Sequence, residues 1–149
     1  MTLKILSHSK ILSYDNIGAY TGFLLPVHTI NDCFFRDGFE AQQINISALA
    51  PMCIKGPHLH LIRMVIFTCL KGNIRIVIKA DKKYSNHFSG ETYNHLSVEV
   101  PSGIPAAIQN IGDEEALILA VWNKAWTPDL KDEYDADFSD YNFNSGILP

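Results

Sequence analysis

The stretch Lys55-Gly56-Pro57-His58-Leu59-His60 leads into Met64-Val65-Ile66-Phe67-Thr68-Cys69-Leu70 and, after Lys71-Gly72-Asn73, into Ile74-Arg75-Ile76-Val77-Ile78. Residues i and i+2 of a β-strand point to one face, so the His58 and His60 imidazoles project together. The residue before a proline is pushed towards extended backbone, which suits Gly56-Pro57 at the entry to a strand. The two runs that follow are β-branched and aromatic, the mark of buried strands. Lys71-Gly72-Asn73 reads as a hairpin turn between them, with Ile74 to Ile78 as the return strand. Two imidazoles on the inward face of a β-barrel offer metal ligation or proton transfer. The plainer alternative is a pair of hydrogen-bonded histidines with no chemistry.

Outwards from this centre the chain keeps the same character. Lys4 to Leu12 reads as a first strand, and Ala19 to Leu25 as another, after a turn at Asp15-Asn16-Ile17-Gly18. Asn31-Asp32 opens a short segment through Phe34-Phe35, closed by Arg36-Asp37-Gly38-Phe39. Gln43-Ile44-Asn45-Ile46-Ser47 alternates polar and apolar residues, as a half-buried strand does. Ala80 to Asn86 is polar and turn-like, and His95 to Val100 alternates up to the turn at Pro101-Ser102-Gly103. Ala106 to Asn110 and Ala116 to Trp122 read as further strands. About nine or ten short strands, with no amphipathic helix, mean an all-β sandwich or barrel.

The 149 residues suit one domain, 1–149, with N-terminal strands over 1–30 as a candidate dimer arm and an acidic tail over 129–149. The tail reads as a solvated surface segment. Apolar content of 47% fits a globular core. A net charge of −4 without a basic block excludes a nucleic-acid footprint. No apolar run reaches the roughly 20 residues that span a bilayer, so no membrane partner is expected. Cys33, Cys53 and Cys69 are odd in number and widely spaced, which fits reduced thiols in a cytoplasmic protein.

Pro101-Ser102-Gly103-Ile104-Pro105-Ala106-Ala107-Ile108-Gln109-Asn110 resembles the second cupin motif, Pro-x-Gly-x-x-His-x-x-x-Asn, with Ala106 at the histidine. The first motif supplies His58 and His60, then Gly72, while its glutamate falls near Met64 or Val65. The resemblance implies a cupin double-stranded β-helix, a jelly roll, and two of four ligands implies no metal and no cofactor. Within cupins the chain resembles the dTDP-4-dehydrorhamnose 3,5-epimerase family. Gln43 to Ser47 is similar to its Gln-x-Asn-x-Ser, Lys55 to His58 to its Arg-Gly-Leu-His, and Asp81 to Ser85 to its Asp-x-Arg-x-Ser. The arginine and glutamate that hold the nucleotide in that family are Ile17 and Gly22 here. No tyrosine stands near Ala125-Trp126, where the family has its acid, and the orienting carboxylate has no evident counterpart. Lys55 to His60 is equally similar to the Arg-Gly-x-His-Ala-His of sugar 3,4-ketoisomerases.

Both families move a proton on carbon next to a sugar ketone. That step needs a base of near-neutral pKa and a cation or hydrogen-bond donor at the enolate oxygen. The resemblance implies His58 as base, with His60 polarising the ketone or returning the proton and Lys55 at phosphate or oxyanion. Gln43, Asn45 and Arg63 are candidate substrate contacts. Ordinary sheet hydrogen bonding is the alternative for Gln43 and Asn45, and surface charge for Arg63, whose odd spacing from His60 turns it outwards. Tyr84, Tyr93 and Tyr134 are the candidate acids, and His28, His87 and His95 read as surface residues. Trp122 and Trp126 read as core or interface, with stacking on a sugar or base as the alternative. The partner implied is a nucleotide sugar, with a homodimer as the assembly. Two functions stand side by side: an epimerase or isomerase, and a non-catalytic cupin that binds a sugar or sugar nucleotide.

Overall fold

The computed structural model describes residues 2–146. Its strands are β1 (Ile5–Leu6), β2 (Ile11–Tyr14), β3 (Tyr20–Leu24), β4 (Gln43–Leu49), β5 (Ile54–His60), β6 (Val65–Lys71), β7 (Asn73–Ala80), β8 (Lys83–Gly90), β9 (Ser97–Val100), β10 (Ala106–Asn110), β11 (Ala116–Trp122) and β12 (Glu133–Asp135). One short helix, α1 (Cys33–Arg36), follows Asp32, whose carboxylate accepts hydrogen bonds from the Phe34 and Phe35 amides as an N-cap. Two five-stranded antiparallel sheets run in the orders β1-β9-β6-β11-β4 and β12-β5-β10-β7-β8, and β2 pairs with β3 in a separate ribbon. This is the jelly roll that the motifs imply. Among the described residues no helix is long and apolar enough to cross a membrane.

The core lies between the sheets. Val65, Cys69, Val98, Ile118 and Trp122 from the first sheet meet Ile74, Ile76, Ile78 and Ile108 from the second. Strict alternation along each strand supplies these inward residues. The outer face of the first sheet holds a smaller cluster in which Phe34 and Phe39 pack on Ile66 and Val121.

The expected β6–β7 hairpin is not formed. β6 lies between β9 and β11, and β7 between β10 and β8. Gly72, at φ 76°, turns the chain from one sheet to the other, and a Cβ there would stand 3.2 Å from the Ala116 Cα. Both runs are apolar because they face each other across the core, which local pattern cannot tell from lateral pairing. The polar segment 80–86 is also more than a turn. Asp81 and Lys82 both take positive φ, and β8 begins at Lys83, paired to β7 along its length. It is an edge strand, so polar residues suit it.

The acidic tail is not a free solvated segment: it docks on the second sheet, although its carboxylates other than Asp132 stay exposed. Asp132 is 2% exposed, β12 pairs with β5, and Phe138 packs on Val77 and Ala107 at the outer face of the second sheet. The Arg75 guanidinium, also buried, donates to the carbonyls of Phe143 and Ser145 and to Gln109. The tail's last three residues lie outside the described ones. Two histidines read as surface residues are covered. His95 is buried, with Nδ1 2.9 Å from the Cys69 carbonyl, and the mostly buried His28 pairs with Asp32 at 3.1 Å.

Candidate functional site

A cavity of about 560 Å³ opens between the sheets. Its floor is apolar, with Val65, Phe67, Val100, Ile108 and Trp122, while Lys55, His58, His60, Asn45 and Glu133 bring polar groups to it. His58 and His60 reach it together, as alternation requires. Lys55 is three positions from His58 and would face away in a regular strand. The register explains why it does not. Ala106 pairs with His58 and Ile108 with Lys55, so β5 spends three steps where β10 spends two. This bulge reverses the parity and turns Lys55 inwards. Gly56 sits in it at φ 90°, where a Cβ would meet the Ala106 carbonyl and the His58 amide at 3.0 Å.

β12 brings a carboxylate to the pair. Glu133 lies opposite His60 and Asp135 opposite His58. Glu133 Oε1 is 3.5 Å from His58 Nδ1 and 3.3 Å from His60 Nε2. The second contact has ion-pair distance without hydrogen-bond alignment, since His60 Nε2 has no aligned partner among the described residues. Asp135 Oδ1 is more distant, 3.9 Å from His58 Nε2, on a fully exposed side chain. Burial depresses the His60 pKa, and the Asp132 and Glu133 carboxylates only partly oppose that effect. His60 is therefore held towards the neutral form, able to accept a proton.

Behind the imidazoles lies a packed support. The His60 and Trp122 rings meet edge to face at 4.9 Å, and the Arg63 guanidinium lies 4.2 Å from the Trp122 ring. Arg63 Nε donates to Asp132 Oδ2 at 2.7 Å, and Asp132 Oδ1 accepts from the Ile62 and Arg63 amides. Burial alone raises the Asp132 carboxyl, but these bonds outweigh it and hold the pKa below the usual range.

The expected residues thus fall into groups. Lys55, His58, His60 and Asn45 line one cavity. Gln43 does not: its Nε2 donates to Asn45 Oδ1 at 3.1 Å and its Oε1 accepts from the Trp126 amide, which fixes Asn45. Arg63 is neither outward nor at the cavity wall; it is 6% exposed and committed to Asp132. The chain leaves β5 after His60, so counting parity onwards to residue 63 has no basis. Trp122 is buried and forms the floor, whereas Trp126 is 55% exposed. None of the candidate tyrosines lines the cavity. Tyr84 bonds Asp140, Tyr93 stacks on Phe88, and Tyr134 pairs with Leu59, which alternates away from the histidines. Glu133 was not singled out in the sequence, and nothing local marks it; only the docking of the tail brings it here. Ala106 stands beside His58, where the cupin motif has a histidine, and among the described residues no three potential ligands are placed to hold a metal ion.

The two-sheet jelly roll with histidines on an inner strand is a cupin-like fold, similar to that of solved sugar-nucleotide epimerases and ketoisomerases. The family model described as polysaccharide biosynthesis C-terminal domain matches residues 34–134, and the chain belongs to that family. Among solved structures it is similar to a dTDP-4-dehydrorhamnose 3,5-epimerase from Sulfolobus tokodaii, at 17% identity and TM-score 0.71, over 95% of this chain and 89% of that one. It is similar to a 3'-monoepimerase from Streptomyces bikiniensis in complex with dTDP-quinovose, at 15% identity and TM-score 0.73, over 100% and 80%. It is also similar to a sugar 3,4-ketoisomerase from Thermoanaerobacterium thermosaccharolyticum in complex with TDP, at 13% identity and TM-score 0.66, over 89% and 86%. At such identities the likeness is one of fold. No curated protein matches the chain by sequence.

Proposed function

We propose that the protein is a cofactor-free epimerase or isomerase that moves a proton on the carbon next to the ketone of a nucleotide-activated 4-keto-6-deoxy sugar, in polysaccharide or glycoconjugate synthesis. The observation that carries the reading is the constellation in one cavity of two imidazoles, one carboxylate between them and one ammonium. His58 takes the proton from the acidic carbon. Its Nδ1 is turned to Glu133, whose carboxylate stabilises the imidazolium as it forms, and Nε2, 3.9 Å from the fully exposed Asp135 and without a hydrogen bond among the described residues, is the atom that meets substrate. The C–H electron pair moves into the ketone, and the resulting enolate oxygen is met by the Lys55 ammonium or by a donor N–H of His60. Return of the proton to the other face of that carbon, or to the former carbonyl carbon, gives epimer or isomer. The apolar floor closes the buried side of the site, beneath His60, while Lys55 and Glu133 stay open to solvent. The test is solvent deuterium incorporation into 4-keto sugar nucleotides, followed by NMR.

A second reading, a cupin that binds a sugar or sugar nucleotide without turning it over, is favoured by one observation. Lys55 is the one lysine or arginine among the residues lining the cavity, and no tyrosine stands there as acid. This reading predicts saturable binding of sugar nucleotides with no exchange in deuterated water.

A further inference from the structure

The outer face of the first sheet carries a second cavity, of about 360 Å³. Alternation along the strands separates it from the first: Val65 and Val100 line the inner cavity, and their chain neighbours Met64 and Glu99 line the outer one. Phe34 and Phe39 supply apolar wall, and Lys4, Asp37 and Glu40 complete the charged part. Glu99 is 6% exposed, and no described residue donates a hydrogen bond to its carboxylate or pairs with it as an ion. Lys4, which lies within electrostatic reach, is held by Asp37 at 3.0 Å. The Glu99 oxygens are not sealed off but open to the cavity, and the burial of the side chain raises its pKa. The cavity therefore has three carboxylates against one ammonium that is already engaged.

We propose that this cavity binds a small organic ammonium, with its N–H groups on Glu99 and its hydrocarbon against Phe34, Phe39 and Met64. The charge excludes an anion. A divalent ion is disfavoured because no three potential ligands converge among the described residues. The aromatic and thioether walls suit an alkyl chain, and a cation gains further beside aromatic rings.

The experiment is calorimetric titration with n-butylammonium chloride, with n-butanol, sodium chloride and calcium chloride as parallel arms, plus thermal melts. Saturable binding of one n-butylammonium per chain, with a raised melting temperature, is expected, and none from the other arms. Glu99→Gln, nearly isosteric, should weaken binding about tenfold or more. Lys4→Met removes the competing ammonium, should tighten binding, and is readable even if Glu99→Gln folds poorly. No saturable heat from n-butylammonium, an equal response to n-butanol, a response to calcium alone, or unchanged affinity in both variants would overturn the proposal.

Discussion

Glu133 sets the charge around both imidazoles, and its removal should be visible in His60. Burial lowers the His60 pKa while Asp132 and Glu133 pull it back up. Glu133→Gln should therefore shift the His60 titration, followed by NMR of the ring protons, to lower pH. An unchanged or higher midpoint would mean that the carboxylate does not act on this ring. The Arg63–Asp132 pair gives a stability test. Both side chains are at most 7% exposed, and Asp132 also accepts from two amides. Asp132→Ala leaves a buried guanidinium and those amides unpaired, so a loss of about 3 kcal/mol is expected by denaturant unfolding. A loss within the scatter of surface substitutions would contradict the pairing. At this scale the sequence was half legible. His58 and His60 announce themselves by alternation and motif, whereas Glu133 and Asp132 sit in an acidic stretch that resembles a solvated face until its pairing partner is known.

Among the elements, the bulge of β5 and the arm that carries β1 and β2 have measurable consequences. Gly56→Ala places a Cβ at 3.0 Å from two backbone atoms in a positive-φ position. It should cost about 1–3 kcal/mol and turn Lys55 out of the cavity, so substrate affinity should fall along with stability. The arm is anchored by His8, whose Nε2 lies 2.7 Å from Ser97 Oγ. Burial, reinforced by nearby His28, lowers its pKa from 6.5 to about 4. Between those values the unfolded chain binds a proton that the folded chain does not, so stability falls as pH falls through that window. His8→Gln should flatten the fall of melting temperature over that range relative to the parent; an equal slope would show that His8 does not drive it. The strands themselves were legible because their faces differ in polarity. The β6–Gly72–β7 corner was not, since an apolar run carries no sign of whether its neighbour lies beside it or across the core.

Assembly is the question for the molecule as a whole. The β2–β3 ribbon stands apart from both sheets with Ile11, Leu12, Phe23 and Leu24 exposed, and Ile44 and Ile46 of edge strand β4 are 63% and 65% exposed. Open edges and exposed apolar residues of this kind are usually covered by another chain. We expect a homodimer in which the N-terminal strands extend or cover the partner's sheet. Light scattering at micromolar concentration should give twice the chain mass, and Ile44→Lys with Ile46→Lys should shift it to monomer; a monomeric parent would refute the assembly. Chelator treatment should leave the melting temperature unchanged, because no metal-binding free energy would be lost from the folded state. A fall would mean that His58 and His60 do hold an ion. The jelly roll was legible because it is written many times over, in strand spacing, in Pro101-Ser102-Gly103 and in the histidine pair. Its strap was not, because 133–146 gains its order only from the sheet it crosses.

The most direct test of the proton-transfer reading is NMR-detected deuterium incorporation into a panel of 4-keto-6-deoxy sugar nucleotides, comparing the parent with His58→Asn. The parent should incorporate deuterium next to the ketone, and His58→Asn should lose on the order of 10²- to 10⁴-fold in rate while keeping its fold. Equal exchange by parent and variant would remove His58 as the base, and no exchange by the parent across the panel would contradict the enzymatic account itself.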